Sequence, residues 1–176
     1  MRAVAIRCDA PKARRYIRTV RADAHGLLKQ LSLCHHELSL VLADDSQIRE
    51  LNRVFRGRDH CTDVLSFPLL DEWEPATSEP AGSDYKSGPA PIGDVVISVD
   101  TAVRQARRLG ITPDLRLRTL LIHGMLHLPG FDHEKSQADA RRMFAREREL
   151  AASLASSEKT YNRRLSATAL REAESP

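Results

Sequence analysis

Three histidines within eleven residues, His123-Gly-Met-Leu-His127-Leu-Pro-Gly-Phe-Asp-His133, carry the strongest chemical signal in this 176-residue chain. His123 and His127 are four apart, so on a helix they stand one above the other, close enough for both imidazoles to reach a single ion. Pro129 and Gly130 stop such a helix and permit the reversal that returns His133 toward the same point. From Leu120 to Leu128 the two histidines are the only polar side chains, and burying stacked imidazoles costs free energy unless something satisfies them. For a lone histidine on an apolar face, a hydrogen-bonded core position is the usual explanation; three that converge favour a metal. Three neutral nitrogen donors without cysteine suit one zinc ion or another transition metal, and leave a fourth position open, as in catalytic rather than structural sites. The zinc-peptidase helix carries its general-base glutamate directly after the first histidine. Gly124 stands there instead, so a peptidase would need a base from elsewhere.

The elements that must position these groups are legible in outline. Arg2 to Cys8 alternates like an edge strand, and Pro11 opens a helical pattern through Tyr16, Ile17, Val20, Leu27, Leu28 and Leu31. Glu37 to Ala43 is a second strand; Asp44 or Asp45 caps a following helix whose face is Ile48, Leu51, Asn52 and Phe55, with Gly57 as its stop. Asp63 to Leu69 and Ile92 to Val99 read as third and fourth strands. Residues 70–91 between them hold four prolines, two glycines and no hydrophobic period, which describes a long loop outside the core. Thr101 to Leu109 is a short basic helix ended by Gly110. Thr112-Pro113-Asp114 then starts the histidine helix, which runs to about Leu128. Ser136 to about Ala155 is the last patterned helix, with Met143, Phe144, Leu150 and Leu154 inward and arginine–glutamate pairs outward. One domain over 1–156 and a polar, fraying tail over 157–176 complete the expectation.

Composition narrows the class further. With 41% hydrophobic and 29% charged residues the chain has average globular usage, which takes most of the weight from collagen-like, fully disordered and coiled-coil readings. Its longest nearly apolar run is far short of the roughly 20 residues a membrane span needs. The net charge of +3 announces no partner, but the 70–91 segment holds five acids and one lysine, leaving 26 basic and 19 acidic residues elsewhere. Cys8, Cys34 and Cys61 are an odd number at wide spacing without a preceding signal stretch, which points to the cytosol. Cys8 and Cys34 read as core. His25, His35, His36 and His60 lack ligand spacing and read as surface or loop residues.

Residues 123–133 resemble the signature of the YbeY endoribonuclease family, His-Gly-x-Leu-His-Leu-x-Gly-Tyr/Phe-Asp-His, with Met125 and Pro129 in its variable places. Further segments are similar to the family in the same order: Glu37-Leu-Ser, Ile48-Arg-Glu-Leu-Asn52, Phe55-Arg56-Gly57, Thr62-Asp63-Val64-Leu65-Ser66-Phe67-Pro68 and Gly93-Asp94-Val95-Val96-Ile97-Ser98. Cys61 stands where the family usually has proline, and the 70–91 loop is longer than typical; neither touches a proposed ligand. The resemblance implies an α+β fold, a small mixed sheet of about four strands flanked by helices that include a zincin-like metal-binding helix. It also implies one Zn2+ on His123, His127 and His133, and cleavage of single-stranded RNA in the maturation of small-subunit ribosomal RNA. Such a protein is cytoplasmic, with ribosomal RNA and ribosomal or ribosome-assembly proteins as partners and no membrane.

The resemblance also matches Arg56 to the family's site arginine. That role suits the chemistry, since a guanidinium binds two oxygens of a phosphoryl group that accumulates charge; otherwise Arg56 is a solvated residue at a helix end. Asp63 either orients a ligand or lines the substrate path, or bonds local amides as an aspartate entering a strand commonly does. Ser66 is a second candidate at the cleft, or a small packing residue. Arg53, Arg56, Arg58, Arg104, Arg107 and Arg108 supply basic surface for RNA. Two other readings remain: a non-catalytic ribosome-assembly factor with a structural metal, and a zinc peptidase.

Overall fold

Short β-branched runs and capped amphipathic segments build the fold in alternation. The strands are β1 (Val4–Cys8), β2 (His36–Ala43), β3 (Val64–Pro68) and β4 (Ala90–Ser98). The helices are α1 (Ile17–Gln30), entered through a 3-10 segment at Pro11–Tyr16, α2 (Asp45–Arg56), α3 (Val99–Leu109), α4 (Pro113–His127) and α5 (Gln137–Ala173). The computed structural model describes residues 4–69, 89–131 and 136–173, with side chains as far as Ser156. The 70–88 stretch of the expected loop, and Asp132, His133 and Glu134, lie outside the described residues.

The sheet order is β1-β2-β4-β3. The first three are parallel, and β3 runs antiparallel to β4 on the outer edge, with Phe67 opposite Asp94 and Ser66 opposite Val95. This is the expected α+β architecture with a four-stranded mixed sheet. Because successive side chains alternate across a strand, β2 sends Leu38, Leu40 and Leu42 to one face and Val41 and Ala43 to the other. The first face carries the larger core, closed by α1, α4 and α5 through Leu27, Leu121, Met125, Met143 and Leu150, with Val99 and Ala102 of α3 beside them. The second is closed by α2 through Ile48, packed with Val41, Leu65 and Val96.

Caps explain the helix starts. Asp44 and Gln47 form a reciprocal capping box on α2: the Asp44 carboxylate accepts from the Gln47 amide at 2.8 Å, and Gln47 accepts from the Asp44 amide at 3.0 Å. Gly57 ends that helix at φ 65°, a left-handed conformation that glycine adopts without strain.

Several boundaries differ from the sequence expectation. β4 begins at Ala90, two residues before Ile92, because a bulge between Glu37 and Leu38 lets β2 pair with Ala90 and Pro91. α5 continues to Ala173 rather than ending near Ala155, since nothing between 156 and 173 is proline or glycine and alanine, leucine and arginine recur there. Phe144 is 47% exposed, turned about 100° from its inward neighbour Met143. Phe55 is 64% exposed, because the last turn of α2 overlies the edge strand, where the ring meets Phe67 edge-on at 5.1 Å. Cys34 is exposed in the turn before β2 and so is not core, whereas Cys8 is half-buried, packed against the larger core with its thiol donating to the Ala10 carbonyl.

Candidate metal centre

α4 delivers the histidine pair. Thr112 caps it, its hydroxyl accepting from the Leu115 amide at 3.2 Å, and Pro113 occupies the first turn. Leu117, Leu121, Met125 and Leu126 are buried against the sheet and α5, which fixes the helix's rotation and leaves His123 and His127 half-buried on the remaining side. Gly124 makes that seating possible. A Cβ there would stand 2.8 Å from Val95 Cγ1 and 3.0 Å from Val64 Cγ2, and Ser66 Oγ donates to the Gly124 carbonyl at 2.9 Å. The glycine where a zinc-peptidase helix has glutamate is thus a contact point between helix and sheet.

The two imidazoles cross at 77° with ring centroids 4.7 Å apart, and their Nε2 atoms approach to 3.1 Å. On the far side of the first ring, His123 Nδ1–H donates to Glu147 Oε1 of α5 at 2.7 Å. A proton held on Nδ1 makes Nε2 a lone pair, the tautomer a metal ligand needs. Two imidazole nitrogens aimed at one point, one of them oriented by a carboxylate, fit a divalent cation with nitrogen preference. Among the described residues no group of three ligands assembles; His133, the expected third, lies outside them.

Glu147 escaped the sequence reading, which placed the glutamates of this helix outward. The signal was present: Glu147 lies four residues after buried Met143 and three before buried Leu150, so it shares their face.

The other candidates are distributed as follows. Ser66 lies beneath the histidine helix as a packing hydroxyl. Asp63 accepts from its neighbour's amide, Val64 N, at 3.0 Å, and from Gln105 and Arg116 at 3.1 and 3.2 Å, tying β3 to α3 and α4. Arg56 ends α2 on the opposite face of the sheet, exposed. It nevertheless reaches the same end of the sheet as His127: Phe55 meets Phe67 of β3, while Leu128 lies over Gly93, paired with Pro68. The edge strand β3 separates the two groups. Of the expected basic surface, Arg53 is bound to Glu50 and Arg104 to Asp45, whereas Arg56, Arg58, Arg107 and Arg108 are exposed.

Asp45 forms the densest polar junction. Its Oδ1 accepts from the Ser98 and Thr101 hydroxyls at 2.6 and 2.7 Å, and its Oδ2 from Arg104 at 2.5 Å. Burial opposes ionisation of this carboxyl, but the hydrogen bonds from Arg104, Ser98 and Thr101 outweigh it and bring its pKa to about 2. The remaining histidines stand apart from the centre: His25, His35 and His60 are exposed, and His36 is half-buried in β2, where burial, then the neighbouring His35, lowers its pKa.

The family model described as Endoribonuclease YbeY matches residues 6–155. A protein of Anaeromyxobacter sp. (strain Fw109-5) named Endoribonuclease YbeY is 46% identical over 148 residues, which is 84% of this chain and 70% of that one. A namesake from Myxococcus xanthus (strain DK1622) is also 46% identical, over 84% of this chain but only 46% of its own length. In fold, the chain is similar to the solution structure of TM1509 from Thermotoga maritima, with a TM-score of 0.60 at 23% identity, covering 90% of this chain and 93% of that one.

Proposed function

This chain belongs to the endoribonuclease YbeY family, and from that premise we propose that it is a metal-dependent endoribonuclease cutting single-stranded RNA during maturation of small-subunit ribosomal RNA. The observation that supports the metal dependence is the convergence of His123 and His127 Nε2 at 3.1 Å with Glu147 holding the outer nitrogen of His123. His133 completes the ligand set in this reading. When bound there, Zn2+ supplies Lewis-acid polarisation of a phosphoryl oxygen and activation of water.

The chain's own groups do the rest. Glu147 keeps the Nδ1 proton of His123 in place and so keeps Nε2 directed inward. Arg56 carries no ion pair among the described residues, and its planar fork suits two non-bridging oxygens of one phosphodiester. Arg56 and the histidines stand on opposite faces of an edge strand, so the substrate crosses the free edge of β3 with its scissile phosphate on the histidine side. A flexible single strand can bend around such an edge, whereas a duplex with a persistence length of tens of nanometres, as in DNA, resists it. All three cysteines are unpaired, which suits the reducing cytoplasm. No described helix is long and apolar enough to cross a membrane. Ribosomal RNA and ribosome-assembly proteins are the partners this role requires.

The test is cleavage of end-labelled single-stranded RNA by zinc-loaded protein beside Arg56→Ala and His127→Ala. Loss of cleavage in both, with unchanged circular dichroism, supports the reading. Equal cleavage by all three identifies a contaminant and removes it; unfolding of His127→Ala without metal favours a structural ion instead.

A further inference from the structure

Phe55 is the one large side chain on the patterned face of α2 that the fold leaves in water. Ile48 and Asn52 on that face are buried, Leu51 is half-buried, and Phe55 is 64% exposed. The ring is nonetheless braced, since Phe67 of β3 meets it edge-on at 5.1 Å with 66° between the planes. Phe67 itself is half-buried and packs against the smaller core, which supports the ring from below. An exposed aromatic held at a fixed angle offers its face to a flat ligand.

Its neighbours state what kind. Arg53 and Arg49, about half a turn and nearly two turns back, are neutralised by Glu50 and Asp59. Arg56 and Arg58, on either side of Gly57, are exposed, and their guanidiniums form no hydrogen bond or ion pair among the described residues. A free π-face flanked by two free guanidiniums complements a nucleobase followed by phosphates, the combination by which proteins hold unpaired strands. Its place agrees: Phe67 lies opposite Asp94 at the end of the β3–β4 pair, where Leu128, the residue after His127, lies over Gly93.

We infer that Phe55 is a stacking platform for one unpaired base of the RNA, placed across the β3 edge from the histidines, and that it makes the site select single strands. This rests on the ribonuclease reading and extends it from the reaction to its selectivity. In a duplex both faces of each internal base are covered by neighbours, so the ring finds no partner; in a loop or an end it does.

The experiment is fluorescence anisotropy of the full chain with three labelled RNAs at one salt concentration, with a chelator present to prevent turnover: a single strand, an abasic strand of equal length, and a duplex. The abasic strand keeps every phosphate and lacks only the π-faces. The native chain is expected to bind the base-bearing strand about ten-fold more tightly than the abasic one, as one stacked base supplies. Phe55→Ala is expected to erase that ratio while keeping the abasic affinity, and Phe55→Trp to preserve it. Equal ratios in the native chain and Phe55→Ala overturn the platform alone and leave the exposed ring to a protein partner. A loss in Phe55→Ala that is equal for both strands also overturns it, as a general effect on the surface. If the native chain binds none of the three RNAs, the ribonuclease reading fails with it.

Discussion

His123 is held at both ring nitrogens, and that double engagement makes Glu147 the residue whose loss is most informative. With the carboxylate at 2.7 Å, Nδ1 keeps its proton and Nε2 is presented to the cation position. Glu147→Ala is expected to weaken zinc binding by about 10- to 100-fold, read by competition against a coloured chelator, with the circular dichroism spectrum unchanged. Glu147→Gln retains an acceptor oxygen and should fall between. Unaltered zinc affinity in both would reduce the contact to a surface ion pair. Arg56 allows a separate test of geometry against charge. Arg56→Lys keeps the charge but loses the fork, so cleavage should drop nearly as far as in Arg56→Ala if the contact is bidentate. A lysine variant with native cleavage would make Arg56 a point charge only.

Between elements, the decisive contact is Gly124 against β3 and β4. Gly124→Ala gains up to about 1 kcal/mol of helix propensity, yet its Cβ falls 2.8 Å from Val95 Cγ1 and 3.1 Å from Ser66 Oγ, both on packed strands. Overpacking of this kind costs about 1–3 kcal/mol, so the net effect in urea unfolding should be destabilising. A more stable variant would show that α4 can lift from the sheet at no cost. On the other face, Asp44→Ala removes one half of the capping box of α2 and should lower stability by about 1 kcal/mol, without touching the histidine helix.

For the molecule as a whole, the junction at Asp45 couples α2 to α3, and its low pKa makes that coupling depend on acid. The carboxyl titrates at about 2 in the fold against an ordinary 3.8. The folded state therefore favours the ionised form; the contribution, about 2 kcal/mol, is complete above pH ~4 and disappears as the pH falls towards 2. An Asp45→Asn chain should lose less stability than the native chain between those limits; identical acid titrations of stability would remove Asp45 from the account. The charge distribution sets a second expectation. With Arg56, Arg58, Arg107 and Arg108 exposed, RNA affinity should decline steeply and log-linearly with added salt, while indifference to salt would count against backbone contact.

The histidine spacing, the cap at Thr112 and that at Asp44 or Asp45, the glycine stops and the alternation of the strands are local, and each was legible because it depends on residues within one or two turns of one another. The family's ordered segments carried the four-stranded fold in the same way. Three features were decided only in the tertiary structure. Glu147 faces His123 because α5 packs across α4, a meeting of residues 24 apart that no periodicity states. Arg56 and the histidines are divided by the edge strand because α2 and α4 take opposite faces of the sheet. Phe55 is exposed because its helix ends over that edge, where the apolar pattern of α2 has no second strand left to cover it. Sequence period specifies which side of an element is apolar; the order of strands in the sheet specifies what that side meets.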